Sequence, residues 1–382
     1  MKIGLICPYD ITKGSGVKEV VLALRPRLDA LGHKALVITP QPKNLYDMGI
    51  AGVRFIGQQK DFRSPLHTTA QISASFDTDE LDHLLAEEQF DVLHFHEPWV
   101  PYLSRQILSR SETVNIATFH AKIPETLVGR TVAKVITPYT KSLLKYLDQL
   151  TAVSDVASEY VRGLTSRDIT IIPNGIDLDL YKTRGGDVVS KKTGKQILFI
   201  GRLEVRKGLK YLLKAFSLVK QIHPDLRLEV VGDGPDRQKL EKLVQEEELR
   251  GVRFLGLVSE LTKIRLLHES DLFCSPAIFG ESFGIVLLEA MACNLVTVAG
   301  DNSGYASVMK DTGKISLVNP KDINDFARRL ELMIYFPEIR TLWQSWAQEY
   351  IQQFNYDDVA RQYEALYKVA VREKNRVSKH RI

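Results

Sequence analysis

Cysteine is scarce in this chain. Cys7, Cys274 and Cys293 are three in 382 residues, they lie far apart, and their flanks are apolar. Such a set supports neither a disulfide framework nor a zinc site, and it suits a reducing compartment. Long apolar runs are missing too: none approaches the ~18 residues that a membrane-crossing helix needs. The run from Met1 to Cys7 stops at Pro8 and Asp10, so it reads as a buried strand rather than a secretion signal. The chain is therefore expected in the cytoplasm, with peripheral contact at the inner face of the cell membrane left open. An excess of one charge is also absent. Lys and Arg number 51 and Asp and Glu 47, for a net +4, which does not point to nucleic acid as a partner. No short repeat or low-complexity tract occurs.

What is present is a globular composition, 44% hydrophobic and 26% charged, in a chain too long for one core, since cores stop growing near ~250–300 residues. Short apolar runs alternate with helical patterns. Candidate strands are Ile3–Cys7, Ala35–Thr39, Val92–Phe95, Ile116–Phe119, Gln149–Val153 and Ile169–Ile172. Helices are expected at Val17–Leu31, Leu81–Glu88 and near Lys141–Leu147. The pattern restarts at Gln196–Ile200. Helix Leu209–Gln221, strand Arg227–Val231, helix Gln238–Glu248 with Pro235 just ahead of it, strands Val252–Leu255 and Leu272–Ser275, helix Phe283–Cys293 and strand Leu295–Ala299 follow. Alternation of this kind implies an α/β fold, with parallel sheets covered by helices on both faces. The expected layout is a domain over 1–173, a linker over 174–195 that holds Gly175, Gly185, Gly186 and Gly194 and lacks a sustained apolar period, a second domain over 196–354, and a helix over 355–382 that can return to the first domain. The tail Arg372–Ile382 is expected to fray.

The stretch Gly280-Glu281-Ser282-Phe283-Gly284-Ile285-Val286-Leu287-Leu288-Glu289 follows a strand and opens a helix. Ser282 suits a helix cap, Gly284 admits a ligand to the first turn, and the amides of Gly284, Ile285 and Val286 would suit a phosphate. Glu281 and Glu289 can accept hydrogen bonds from sugar and ribose hydroxyls. The same residues fit an ordinary capped helix with a surface glutamate. Arg202 and Lys207 follow the strand Gln196–Ile200, at the strand end where parallel sheets bind ligands. Two cations there suit a diphosphate whose charge grows as it leaves; a solvated basic loop is the plainer account.

In order along the chain, Gly201-Arg202, Lys207-Gly208, Val231-Gly232-Asp233-Gly234-Pro235, Phe254-Leu255-Gly256 and Glu281-Ser282-Phe283-Gly284 with Glu289-Ala290 resemble the retaining glycosyltransferases of family 4. These have the GT-B fold, two Rossmann-like domains with parallel sheets facing across an interdomain cleft. Ile172-Pro173-Asn174-Gly175-Ile176-Asp177 is similar to their hinge. Within that family the phosphatidylinositol α-mannosyltransferases share Ile6-Cys7-Pro8-Tyr9, His94-Phe95-His96-Glu97-Pro98 and Ala117-Thr118-Phe119-His120. The resemblance implies that Arg202 and Lys207 hold the donor diphosphate, that Glu281 grips the donor sugar, and that Ser282, Phe283, Gly284, Ile285 and Val286 line the donor site. It assigns Glu289 to the ribose, Val258 and Lys263 to the base pocket (guanine in the mannosyltransferases), Gly16 to the diphosphate and His120 to the reacting carbon. It implies a nucleotide-sugar donor and front-face transfer. No tightly bound cofactor is expected; Mg2+ can accompany the donor diphosphate, but the sequence offers no dedicated protein site for it.

The first half fits less closely. Trp99 and Ala121 stand where the phosphatidylinositol enzymes carry an asparagine and a hydroxyl residue, and with Tyr9 they are the candidate acceptor residues. Asp77–Asp82 is acidic where those enzymes carry a basic cluster that meets anionic lipid. Asp77-Thr78-Asp79 is similar to the metal-binding aspartates of another glycosyltransferase class, but it precedes Glu80 and a helix, so helix capping is the better account. Lys122, Arg130, Lys134, Lys141 and Lys145 mix with apolar residues, a pattern that can lie on an anionic membrane or form a solvated helix face. Gly14-Ser15-Gly16 lacks the third glycine of a dinucleotide fingerprint, because position 19 is Glu19, and no Walker lysine motif occurs. His94 and His96 share a strand face, but a metal reading lacks a third ligand. The expected function is hexose transfer, mannose from GDP-mannose, to a lipid head group or another polyol. A non-catalytic nucleotide-sugar binder and a nucleotide-sugar 2-epimerase are the alternatives.

Overall fold

The computed structural model describes residues 1–12, 16–42, 50–63, 69–75, 78–123, 127–182 and 194–379. Gly14, Ser15, Asp77 and the glycines Gly185 and Gly186 lie outside the described residues. The chain divides into two compact units, Met1–Gly175 with Tyr356–Ile382, and Ile176–Asn355.

The first unit holds β1 (Lys2–Ile6), β2 (Lys34–Gln41), β3 (Val53–Arg63), β4 (Thr69–Ala74), β5 (Val92–His96), β6 (Val114–Phe119), β7 (Gln149–Ala152) and β8 (Thr170–Ile171). They form one sheet in the order β4-β3-β2-β1-β5-β6-β7-β8. All pairs are parallel except β3 with β4. Strands β5 and β6 are buried throughout, as expected where helices cover both faces. Sequence periodicity missed β3 and β4. Their facing segments carry Gln58, Gln59, Lys60 and Asp61, so this edge hairpin has no continuous apolar signal.

The helix Tyr356–Lys379 closes this unit although it comes last in the chain. Tyr363 and Tyr367 are fully buried. The Tyr367 hydroxyl meets His94 Nδ1 at 2.7 Å, and His94 Nε2 meets Thr118 Oγ1 at 2.6 Å. Tyr363 reaches the same threonine at 3.2 Å. Lys374 pairs with Asp148 at 3.0 Å. The expectation that residues from Arg372 onward fray is therefore corrected: helix persists to Lys379, held partly by that ion pair. Both His94 nitrogens are spent on hydrogen bonds, which answers the metal reading of that residue.

The second unit holds β9 (Gln196–Ile200), β10 (Arg227–Val231), β11 (Val252–Gly256), β12 (Leu272–Ser275), β13 (Thr297–Gly300) and β14 (Leu317–Val318). Its order is β11-β10-β9-β12-β13-β14, with all pairs parallel. This is the doubly wound order, and the chain changes direction across the sheet between β9 and β12. In the first unit the same reversal falls between β1 and β5. Two helix starts differ from expectation. One helix is Arg237–Glu246 with Asp236 at its cap, so Pro235 lies outside it. The other is Ile285–Ala292.

Replacing Tyr367 with Phe should remove one partner of His94 and leave Nδ1 buried without a hydrogen bond. The expected loss in urea unfolding is about 1–3 kcal/mol. An unchanged midpoint would show that the tyrosine hydroxyl does not tie the terminal helix to the sheet.

Candidate active site

Two loops of the second unit meet at its switch point. The first leaves β9 through Gly201 and Arg202, which is exposed, and makes a single 3-10 turn, Val205–Lys207. Gly208 ends that turn at φ +72°, and a Cβ there would lie 2.0 Å from the Pro276 carbonyl oxygen. A residue with a side chain would push this loop away from the one after β12. The close approach brings Lys207 Nζ to 2.8 Å and Arg206 Nη1 to 2.6 Å from Glu281 Oε1. Sequence reasoning places Lys207 and Glu281 at one ligand; the structure shows them in direct contact, and it adds Arg206, to which the sequence reading gave no role.

The cap assignment at Ser282 is corrected. The N-cap is Gly284, at φ +112° and ψ 60°, a residue with no side chain to cap the helix. A Cβ on Gly284 would meet the Tyr305 ring at 2.8 Å, so both conformation and space demand glycine there. A capping side chain would have occupied the first amides. Without one, the opening N–H groups at Ile285 and Val286 keep the electropositive character of a helix start. Ser282 is half-buried, while Phe283 is buried and packs edge-on to Phe354 at 5.9 Å.

Glu289 lies in the second turn of the same helix and is 7% exposed, which removes the reading of it as a surface glutamate. Lys263 Nζ reaches its Oε1 at 2.9 Å and also pairs with Glu260 at 2.9 Å. Burial pushes the Glu289 carboxyl up, and Lys263 pulls it back. Tyr181 donates to Glu260 at 2.9 Å, and burial with the two nearby carboxylates drives its phenol far up. The residues expected at ribose and base, Glu289 and Lys263, thus meet although 26 positions apart. Val258 is half-buried in the turn between β11 and the helix Glu260–Glu269 that carries Lys263. Tyr181 gave no sequence signal.

In the first unit, Tyr9 follows β1 and is half-buried, and Gly16 is the exposed first residue of the helix Gly16–Ala30. His120 directly follows β6, next to β5, and is 9% exposed. Its Nε2 lies 2.9 Å from Nδ1 of His96. Burial lowers the His120 imidazole to about 3, against a smaller upward pull from the Asn174 side chain, and takes His96 well below its usual value. Both rings are therefore neutral near pH 7, so His120 can exchange hydrogen bonds without adding positive charge. Trp99 packs beside Tyr160 and edge-on to Phe119, at 5.1 and 5.9 Å. Ala121 is exposed next to His120. Among the described residues, no three His, Cys, Asp or Glu side chains gather as a metal site.

Glu97 is the residue here that sequence reasoning passed over. It sits fully buried at φ +51° just past β5. One carboxyl oxygen accepts the backbone N–H groups of both His120 and Ala121. It thereby fixes the turn that presents His120. Burial pushes the carboxyl up to about 8, and the two amides offset part of that rise. Between the usual value of 4.5 and about 8 the folded chain keeps this proton while the unfolded chain has lost it. Stability should fall as pH rises through that window. Glu97→Gln removes the dependence. Denaturant midpoints at about pH 5 and about pH 8 should show the variant gaining on the wild type at the higher pH, by on the order of 1 kcal/mol per pH unit. Parallel pH slopes for the two proteins would reject the assignment.

Comparison with known proteins gives a consistent picture. The profile for "Glycosyltransferase Family 4" matches residues 14–180, and that for "Glycosyl transferases group 1" matches residues 186–349. A phosphatidyl-myo-inositol mannosyltransferase of Mycolicibacterium smegmatis is 30% identical over 376 residues, spanning 96% of this chain and 93% of the relative. Among solved structures, sucrose-phosphate synthase from Thermosynechococcus elongatus superimposes with a TM-score of 0.76 at 21% identity, over 96% of this chain and 98% of that one. HepE of Anabaena, solved with UDP and glucose, gives 0.75 at 18% identity, over 97% and 100%. Parallel sheets of matching topology, an ordered series of site residues and a relative alike over nearly its full length lead to one conclusion: the chain belongs to the family 4 glycosyltransferases of GT-B fold and is a hexosyltransferase.

Proposed function

We propose that this enzyme transfers mannose from GDP-mannose, with retention of configuration, to a hydroxyl on the head group of phosphatidylinositol. The observation that carries the donor half is the convergence of Lys207, Glu281 and the Gly284 helix start at the second unit's switch point. A cation and bare amides suit a diphosphate, and the adjacent carboxylate suits sugar hydroxyls. HepE, a fold neighbour solved with UDP and glucose, supports a nucleotide-sugar donor. The mannosyl group and the inositol lipid follow the name of the M. smegmatis relative. Arg202 and Lys207 hold the diphosphate, Glu281 the sugar, Glu289 the ribose, and Val258 and Lys263 the base. Gly16 serves the diphosphate, and His120 serves the donor sugar as a neutral hydrogen-bonding group. Magnesium, where it takes part, travels with the diphosphate.

In the reaction, the acceptor oxygen bonds to the anomeric carbon on the face from which the phosphate oxygen departs. The acceptor proton passes to that oxygen, leaving a mannoside and GDP. Charge building on the diphosphate is met by Arg202, Lys207 and the helix start. Glu281 already serves hydroxyls and two cations, which leaves it ill placed as a covalent nucleophile.

The acceptor half rests on Tyr9, Trp99 and Ala121. A lipid acceptor agrees with the helix Leu127–Leu144, which exposes Arg130, Lys134, Val135 and Lys141. No acidic residue occurs from Leu127 to Leu147, and Lys145 extends the basic face. Such a face can rest on an anionic leaflet, which would place the enzyme peripherally on the cytoplasmic side of the cell membrane. Lys122 is better read as structural, since it pairs with Glu159 at 3.2 Å. No described helix is long and apolar enough to cross a membrane.

The test is transfer from GDP-mannose to phosphatidylinositol vesicles by the full chain, with UDP-glucose as the competing donor. The expected product is the α-mannoside by NMR. Glu281→Ala and Lys207→Ala should each lower kcat/KM by about 100-fold or more with melting temperature preserved. Donor binding without transfer or hydrolysis would instead favour a binder, and a 2-epimer formed from donor alone would favour an epimerase.

A further inference from the structure

Glu281 Oε1 is shared by two cations that are held very differently. Among the described residues Lys207 forms its ion pair with Glu281 alone. Arg206 is anchored twice more. Its Nη2 and Nε lie 3.1 and 3.2 Å from Oε1 of Glu204, and its Nη1 lies 3.4 Å from the Gly280 carbonyl oxygen. Glu204 is itself 7% exposed, and its backbone lies in the loop that carries both cations. The set Glu204, Arg206, Glu281 and Lys207 is electrically neutral as it stands. A lysine neutralised by a carboxylate at 2.8 Å offers little to a diphosphate. For Lys207 to serve the donor, Glu281 must have another cation to rest on.

We propose that Arg206 is a positioning residue for the donor: braced by Glu204, it retains Glu281 and so frees Lys207 to turn onto the diphosphate. This rests on the donor reading of Lys207 and Glu281 given above. It goes beyond that reading by assigning a role to a residue that need not touch the donor. Arginine suits it, because a planar fork can span two carboxylates while an ammonium pairs as a point charge. When Lys207 leaves, Glu281 stays paired, so no bare carboxylate faces the incoming anion. Its second oxygen remains free to accept from a sugar hydroxyl.

The experiment titrates GDP, UDP and ADP into the full-length wild type and into R206A, E281Q and R206A/E281Q by calorimetry. The comparison uses whichever diphosphate the wild type binds. R206A should weaken binding about tenfold, since Glu281 then falls wholly to Lys207. E281Q should bind the diphosphate at least as tightly as wild type, because Lys207 is released. The double variant should recover most of what R206A lost. A merely structural arginine would give no such rescue. If R206A is unfolded by circular dichroism, R206K replaces it, with a smaller loss in the same direction and the same rescue by Glu281→Gln. Wild-type affinity in R206A, or losses that simply add in the double variant, would overturn the proposal while leaving the donor site intact. A wild type that binds none of the three diphosphates would overturn the donor reading and this proposal together.

Discussion

Backbone packed directly on backbone sets the geometry of the second unit's site. Gly208 lets the loop after β9 lie against the Pro276 carbonyl, and Gly304 lets the helix Ser303–Val308 approach the Glu281 carbonyl so closely that a Cβ would sit 2.1 Å from it. These contacts leave no room for side chains to act as adjustable spacers. The Lys207 and Glu281 loops are therefore held at a separation set by main-chain contact, in a protein interior that yields little to strain. The ion pairs at Glu281 are a consequence of that separation rather than its cause. Pre-set geometry of this kind is what an electrostatic site needs, since charges that must reorganise during reaction lose much of their effect.

The fold and the site were legible in the sequence to different degrees. Strands buried on both faces, such as β5 and β9, announce themselves because most of their residues are apolar. The Gly-rich turns announce the strand ends. The hairpin of β3 and β4 does not, because its paired segments carry Gln58, Gln59, Lys60 and Asp61 and give no continuous apolar run. The terminal helix is legible as a helix, but nothing local says where it packs. Its destination is fixed by Tyr363 and Tyr367 finding His94 and Thr118, about 250 positions earlier. The motif around Glu281 is readable because a helix start and its glycine are consecutive. Arg206 and Glu97 are not readable. Each acts through a neighbour that only the folded loop supplies: Glu281 for the arginine, and the amides of His120 and Ala121 for the glutamate.

The misread cap at Ser282 shows the same limit from the other side. Serine directly before a helical pattern, here one expected from Phe283, is a strong capping signal, and propensity alone favours it. Tertiary packing won instead. Tyr305, fixed by its hydroxyl's 2.7 Å contact with Ser275 Oγ, fills the space a side chain at position 284 would use. The chain must turn with glycine there, and the helix starts one residue later with no side chain at its N-cap. A cap that would have stabilised the helix would also have blocked the electropositive end that an anion can use. Local stability and ligand binding compete for the same amides, and the packing of Tyr305 decides between them.

The two units also divide the electrostatics. The second gathers formal charge, two carboxylates and two cations around Glu281, with Lys263 against Glu289 beyond it. The first suppresses charge where it matters: His94 and His120 are held near 3 and His96 well below its usual value, while Glu97 is held near 8, all mainly by burial. On the proposed donor reading, a cationic histidine beside the anomeric carbon would oppose the positive charge that grows there as the phosphate leaves. A neutral imidazole can still give or take a hydrogen bond. Burial is costly for any group that must ionise, but it costs little for groups whose useful form is the uncharged one. The cluster at the end of β5 and β6 can therefore be dry and rigid without being strained, and Glu97 can tie down the His120 turn without bringing a full negative charge to it.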